Sequence, residues 1–472
     1  MRFQVALLSV TLVLAMPNIA LADVDTDVTP TQQTSSANDI EAQISKNKSY
    51  AIPALEIIGF DILLNEINRR TLGSDYDTNL STIKRNFHRH WVIDNDPFNT
   101  NQFLHPYQGS IYHGFARSAG LNYWESLGYT FAGSAFWEIA GETTAPSKND
   151  QIASGIAGTF LGEPLFRMAN LLLEDVRGVS SFWRELGAVA ISPSTGFNRL
   201  VFGDRFDAIF PSHKPAYLGR YQFGFSGTAQ NNPGASMKLK RDEAVLDAAM
   251  DYGLPGKPGY PYTRPFDYFS FQASISSANN IENILSRGLL IGTDYEVGKN
   301  YRGVWGLYGS YDYIKPQVFR ISSTALSLGT TAQWWLSDAI ALQGTALAGL
   351  GYAAVGTING INENDYHYGA TPQALLTLRF IFGDKALLDL TARDYYVSRV
   401  ASASTGGHDN IARIEASFTA RIHGPHAITI KHLWNRRDAS YPTLGDQTQT
   451  RGTIGIFYTF VTDKNLGSVE WR

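Results

Sequence analysis

"YLGRYQFGFSGT", residues 217–228, decides the fold. Its odd positions Tyr217, Tyr221, Phe223 and Phe225 are aromatic, while Arg220, Gln222 and Ser226 fall on the opposite side of a two-residue period. A strand that puts bulky apolar groups on one face and charge on the other divides two different environments. The pattern returns in "RGVWGLYGSYDY" (302–313), where Trp305, Leu307, Tyr311 and Tyr313 oppose Arg302, Ser310 and Asp312. It returns again in "IARIEASFTARI" (411–422), where Ala412, Ile414, Ala416, Phe418 and Ile422 oppose Arg413, Glu415, Ser417 and Arg421. Segments of about ten residues separated by Asn, Asp, Gly or Pro turns suit tilted strands in a hydrocarbon layer. Roughly eleven fit between Tyr217 and Val461, and an even count is usual for closure, so the expectation is a transmembrane antiparallel barrel of about 12 strands. A soluble β-sandwich shares the alternation but has no need for aromatics near strand ends or for charge along most opposite faces.

The rest of the chain agrees with an envelope protein. It opens "MRFQVALLSVTLVLAMPNIALAD", with a cation at Arg2, an apolar run from Val5 to Met16, and Ala20-Leu21-Ala22 as a small-x-small site, so residues 1–22 read as a signal peptide. Residues 23–48 are polar and read as a flexible leader. The 43 Gly, 24 Tyr, 26 Phe and 9 Trp stand against only 17% charged residues, an unusual surface for a soluble protein. Cys is absent, which excludes disulfides, thiolate metal sites and cysteine nucleophiles. A net charge of −4 gives no reason to expect nucleic acid as a partner. In the last strand, "TIGIFYTF" places Thr453, Gly455, Tyr458 and Phe460 like the C-terminal signal read by the outer-membrane barrel assembly machinery, although residues 462–472 follow it as a tail.

Residues 49–205 have a period nearer 3.6 and read as an α-helical module, making the chain α+β, with the barrel assigned to 206–461. "IPALEIIGFDILLNEINRR" is an amphipathic helix with Leu55, Ile58, Ile62 and Leu63 on its apolar side, suited to packing or to lying at the periplasmic rim of the barrel. Further on stand "DPFNTNQFLHPYQGSIY", "ARSAG", "SAFWE", "PSKND" and "GTFLGE". With these pieces the stretch from Trp91 through Glu163 resembles an outer-membrane family known as domain of unknown function 3943. The resemblance implies an outer-membrane location, reached through the periplasm, and supplies no activity.

The module also holds acids in apolar surroundings. Glu138 and Glu142 stand at i and i+4 and are expected to share a helix face, with Glu163 on a helix whose Gly155, Gly158 and Gly162 permit close approach of a neighbour. Arg117 and His105 are the natural countercharges. Two functions compete. In the first, the module plugs or docks on the barrel, and the protein binds outer-membrane lipid, lipopolysaccharide or another envelope component. In the second, Glu138, Glu142, Glu163, His105 and Arg117 converge as the catalytic site of a lipid hydrolase or acyl-transfer enzyme. Arg220, Arg302, Asp389, Arg393, Arg413, Glu415 and Arg451 are expected to face the lumen, and their mixed signs suit a filled interior better than a selective pore. Asp150 reads as the second half of a capping box opened by Ser147. No cofactor is expected. His88 and His90, with His105, His113 or Asp94, are weak zinc candidates, and His105 with Ser110 or His113 with Ser118 are weak nucleophile pairs.

Overall fold

A computed structural model describes residues 37–174, 181–232, 240–356, 362–398, 407–442 and 445–472, so residues 1–22, expected to be a signal peptide, and residues 23–36 lie outside the described residues. The chain divides into a helical unit that ends at His213 and a strand unit from Lys214 to Arg472.

The strand unit is a closed antiparallel barrel of twelve strands, each paired with its neighbours in sequence, the first closing on the last. The strands are β1 Tyr217–Asn232, β2 Asp242–Tyr252, β3 Phe269–Ser276, β4 Asn283–Val297, β5 Tyr301–Ile314, β6 Ile321–Trp335, β7 Ile340–Gly356, β8 Tyr366–Phe382, β9 Ala386–Val397, β10 His408–His423, β11 His426–Tyr441 and β12 Gly445–Val461. Strands therefore begin at Tyr217, somewhat later than the expected domain boundary. Closure fixes the register at Phe223 opposite Tyr458 and Phe225 opposite Ile456. The outer face carries exposed Phe223, Phe225, Ile291, Trp305, Leu328, Leu350, Ile430 and Ile456. An apolar belt running around a closed barrel is tolerable in lipid and not in water, and it makes this an outer-membrane-type barrel. At the end where β1 starts and β12 finishes, four turns are short (298–300, 336–339, 383–385 and 424–425), and Gly298, Gly383 and Gly424 supply the left-handed φ that three of them use.

The barrel is filled. At the short-turn end, Leu466 and Val469 of the tail pack into a core with Leu254 of the segment after β2 and with Leu218, Trp335, Ala341, Ile381, Leu387, Ala427 and Val461, drawn from strands around the circumference. The tail is held by its backbone: Gln333 Nε2 and Trp335 Nε1 donate to Val469 O at 2.7 and 3.1 Å, and Gln343 Nε2 donates to Gly467 O at 2.6 Å. At the other end, the 315–320 loop crosses the mouth. Its Val318 and Phe319 join Leu285, Ile314, Ile321, Val355, Val397 and Ile411, while Arg451 Nη1 of β12 donates to Pro316 O at 3.2 Å.

In the helical unit, α1 Ala37–Asn47 is followed by α2 Ala51–Thr71, α3 Leu80–His88, α4 His105–Ser118, α5 Tyr123–Phe136, α6 Lys148–Ile152, α7 Gly158–Glu174, α8 Ser181–Ile191, α9 Pro193–Val201 and α10 Gly203–Phe206. The presence of α1 corrects the expectation of a flexible leader up to residue 48. No α1 residue is buried, and polar bonds fix its end: Asn47 Nδ2 donates to Arg205 O, Arg205 donates back to Asn47 O and Lys48 O, and Lys48 pairs with Glu125 at 2.7 Å. α4 and α7 meet backbone to backbone. A Cβ on Gly109 would lie 1.9 Å from Ser154 O, and one on Gly158 would lie 2.7 Å from Gly109 Cα. Gly162 rests against Ser110 and His113 in the same way, whereas Gly155 accommodates the ring of Phe131. No described helix is long and apolar enough to cross a membrane.

Candidate functional site

The five expected catalytic residues do not converge: Glu163 and Arg117 belong to one cluster, His105 and Glu138 to another, and Glu142 to neither. The first is centred on Glu163, fully buried in α7. Its carboxylate accepts from Arg117 Nε at 2.7 Å and Arg167 Nε at 2.8 Å and lies 3.0 Å from His113 Nε2. Burial alone would raise the Glu163 carboxyl, but Arg117, His113 and Arg167 hold it well below the usual range. The guanidinium of Arg117 also stacks on Phe166 at 4.6 Å. A permanently ionised carboxylate saturated by cations has no proton to give or take, so this is a structural ion cluster. Arg167, one helical turn from Glu163, is the partner that sequence spacing offered and that was overlooked.

The second cluster joins His105, the first residue of α4, to Glu138 and Asp150. Their ligand atoms lie within 4.8 Å of one another and all three residues are buried. Each stands beside a π-helical turn: Thr100–Leu104 leads into His105, Trp137–Gly141 contains Glu138, and Ala153–Ala157 follows shortly after Asp150. Such turns insert a residue into a helix, re-aim side chains, and recur at functional sites. The inserted turn also undoes the expected pairing of Glu138 with Glu142. Glu142 sits past the helix end with extended backbone, its carboxylate accepting from Trp137 Nε1 at 2.9 Å and Thr144 Oγ1 at 3.1 Å, while Glu138 Oε2 accepts from Ser147 N at 2.8 Å.

Asp150 is corrected too. Ser147 does cap α6, its hydroxyl accepting from Asp150 N at 3.2 Å, but the reciprocal bond is missing because Glu138 has taken Ser147 N. The Asp150 carboxylate instead accepts from Asn149 Nδ2 at 3.0 Å and faces His105 Nε2 at 3.7 Å. Asp94 completes the surroundings, anchored by Asn101 Nδ2 and Asn149 Nδ2, both at 2.7 Å. Burial pushes His105 down to about 4, leaving the imidazole neutral near pH 7. Burial, reinforced by neighbouring carboxylates, pushes Glu138 and Asp150 well above the usual range and Glu142 up to about 7.

The weaker candidates separate. His88 and His90 are exposed and belong to neither cluster. Ser110 Oγ donates to Tyr107 O and Ser118 Oγ to Gly114 O, so neither forms a nucleophile pair with its histidine. The hydroxyl near His105 is that of Ser154, 3.3 Å from Nδ1, forty-nine residues away and invisible to spacing arguments.

A further buried acid stands apart. Asp61 of α2 accepts from the Tyr112 hydroxyl, yet burial pushes it up to about 8. A carboxyl whose folded pKa is raised contributes stability fully below its unfolded pKa near 4 and loses it as pH rises through about 8. Asp61→Asn is therefore expected to raise Tm at pH 8 by several degrees, at about 2–4 °C per kcal/mol for a unit of this size, and to change it little at pH 4. Thermal scans of both proteins at the two pH values check this.

In the barrel, Arg220, Asp389, Arg393, Arg413 and Glu415 line an interior cavity of about 110 Å³. Arg451 lines a smaller one of about 50 Å³. Arg302 pairs with Glu296 at 3.0 Å and stacks on Trp471 of the tail at 5.2 Å. Part of the charge lining the larger cavity is paired: Asp389 bridges Arg220 at 2.9 Å and Arg379 at 2.6 Å, Arg379 reaches Asp251 at 2.9 Å, and Lys431 meets Glu415 at 3.4 Å.

No curated protein matches the chain. Among solved structures, the outer-membrane channel DcaP of Acinetobacter baumannii is 8% identical, with 52% of this chain and 96% of that one covered at a TM-score of 0.25. The TodX monoaromatic hydrocarbon channel, in a deletion mutant, is 8% identical over 54% and 91% at 0.22. The β-domain of the Bordetella autotransporter BrkA is 12% identical over 52% and 98% at 0.20. At such scores the likeness carries nothing beyond itself, and the barrel stands on its own hydrogen-bonded strand order. Residues 90–194, the stretch that holds both charged clusters, match the family described as Domain of unknown function (DUF3943).

Proposed function

We propose that the protein is an outer-membrane barrel with a filled lumen whose helical module binds envelope lipid. The observation that carries this reading is the face of α2. Leu55, Ile58, Ile62, Leu63 and Ile67 are all exposed and fall on one side of the helix, and Arg69 and Arg70 follow at its C-terminal end. The two arginines share Glu66, Arg70 Nε donating to it at 2.6 Å, so the end of the helix carries one net positive charge. An aliphatic stripe ending in such a group suits a helix lying in a membrane surface, acyl chains against the stripe and lipid phosphates at the arginine end. Phospholipid and lipopolysaccharide both offer that chemistry. Export through the periplasm and recognition of β12 by the assembly machinery belong to the same reading. With His105 and Glu138 in one cluster and Glu163 and Arg117 in another, the residues of the alternative lipid-cleaving site are not brought together.

Full-length protein reconstituted in phosphatidylethanolamine/phosphatidylglycerol vesicles with a photoreactive acyl chain tests the reading. Labelled peptides from residues 51–71 are expected beside those of the barrel belt, and Leu55→Asp with Ile62→Asp should cut the α2 label several-fold without affecting the belt. Label confined to the strands would overturn it.

A further inference from the structure

We propose that His105, Glu138 and Asp150 form a binding site for one divalent first-row transition ion of the Zn2+ or Mn2+ class, which ties α4, the end of α5 and α6 together.

Three observations converge on a cation. The Glu138 side chain is only 3% exposed and its Oε1 has no hydrogen-bond partner, although Oε2 is held by Ser147 N. A buried carboxylate oxygen without a donor carries the full cost of its lost hydration unless something positive meets it. Second, no lysine or arginine among the described residues pairs with Glu138, Asp150 or Asp94, in contrast to Glu163, which has two arginines. The protein builds cation-neutralised acids elsewhere in the same unit and leaves this set open. Third, the imidazole is arranged as a ligand. Ser154 Oγ lies against Nδ1, and a proton on Nδ1 donated to that hydroxyl leaves the Nε2 lone pair directed at Asp150, the ring orientation that an outer hydrogen bond gives to a metal-bound histidine.

The chemistry of the donors selects the ion. One imidazole nitrogen and two carboxylates suit Zn2+ or Mn2+, whereas Ca2+ and Mg2+ favour all-oxygen sets. Ligand distances near 2.0–2.2 Å let two donors stand up to about 4.2 Å apart, so the observed separations of up to 4.8 Å close with small rotations of Glu138 and Asp150. Asp94, held by Asn101 and Asn149 and in contact with Asp150 through its charge, supports the site from outside.

The test uses untagged full-length protein in detergent, stripped with chelator and titrated with Zn2+ and with Mn2+, with Mg2+ as control. One Zn2+ per chain is expected. Glu138→Gln and Asp150→Asn should each weaken it at least a hundredfold, while His88→Ala with His90→Ala leaves it unchanged. Because each amide is the same shape as the buried carboxyl it replaces, and no lysine or arginine among the described residues pairs with that carboxyl, the metal-free variant should melt no lower than metal-free wild type, which separates loss of binding from loss of fold. Bound Mn2+ should show nitrogen coupling in pulsed electron paramagnetic resonance that disappears in His105→Ala. Zn2+ uptake equal in wild type and Glu138→Gln, or Mn2+ bound without nitrogen coupling, would overturn the site.

Discussion

Removal of residues 463–472 together with Val318→Ser and Phe319→Ser is expected to turn a silent barrel into one with steady ohmic openings in a planar bilayer. The argument rests on two stoppers. Leu466 and Val469 close the short-turn end and Val318 and Phe319 the other, so either change alone leaves one apolar barrier across the lumen. Between them lies water-sized space lined by charged and polar side chains, which is wettable once its ends are opened. The truncation leaves β12 intact and places "TIGIFYTF" close to the new C-terminus, so assembly can be verified independently by heat-modifiable mobility. A wild-type barrel with large steady openings would show that the stoppers do not seal; a silent triple change would show that paired charges alone block the lumen.

The second large effect is Glu163→Gln. It leaves Arg117 and Arg167 buried without their carboxylate, and breaking a buried ion pair from one side costs about 3–5 kcal/mol. Thermal loss of helical circular dichroism should fall by roughly 10 °C, at about 2–4 °C per kcal/mol for a unit of this size. The pH signature runs opposite to that of Asp61. Glu163 has a folded pKa held below its unfolded value near 4.5, so its contribution is present above that value and lost as pH falls through the folded pKa. The difference between wild type and Glu163→Gln should therefore be full at pH 7 and shrink only in strong acid. A difference that is small at pH 7 would mean that the arginines find other acceptors.

The barrel was legible because its information is local. A two-residue period in Phe223 and Phe225 or in Ile414 and Phe418 states directly which side meets lipid, and strand count follows from turns. The lumen charges were legible for the same reason, as the opposite phase of that period. The tail was not, since it is held by side-chain donors on β6 and β7 more than a hundred residues earlier, bonding to backbone carbonyls that any sequence supplies. Nor was the His105 cluster. Helical spacing assumes 3.6 residues per turn throughout, and the π-helical turn at Trp137–Gly141 breaks that phase where Glu138 and Glu142 were expected to align. The Ser147 cap was readable, but not the competition that lets Glu138 occupy its backbone N–H and frees Asp150 to face His105.

The glycine contact between α4 and α7 has a mechanical consequence. His105 and His113 ride on one rod, α4, and that rod touches the Ser154 carbonyl and the backbone of α7 with no side chain between to absorb movement. A displacement at the His105 end cannot be cushioned locally; it is passed as a rigid shift to the Glu163 end, two turns along. The two charged clusters are thus separate in chemistry and carried on helices packed backbone to backbone, so a shift of α4 at one is expected to move the other.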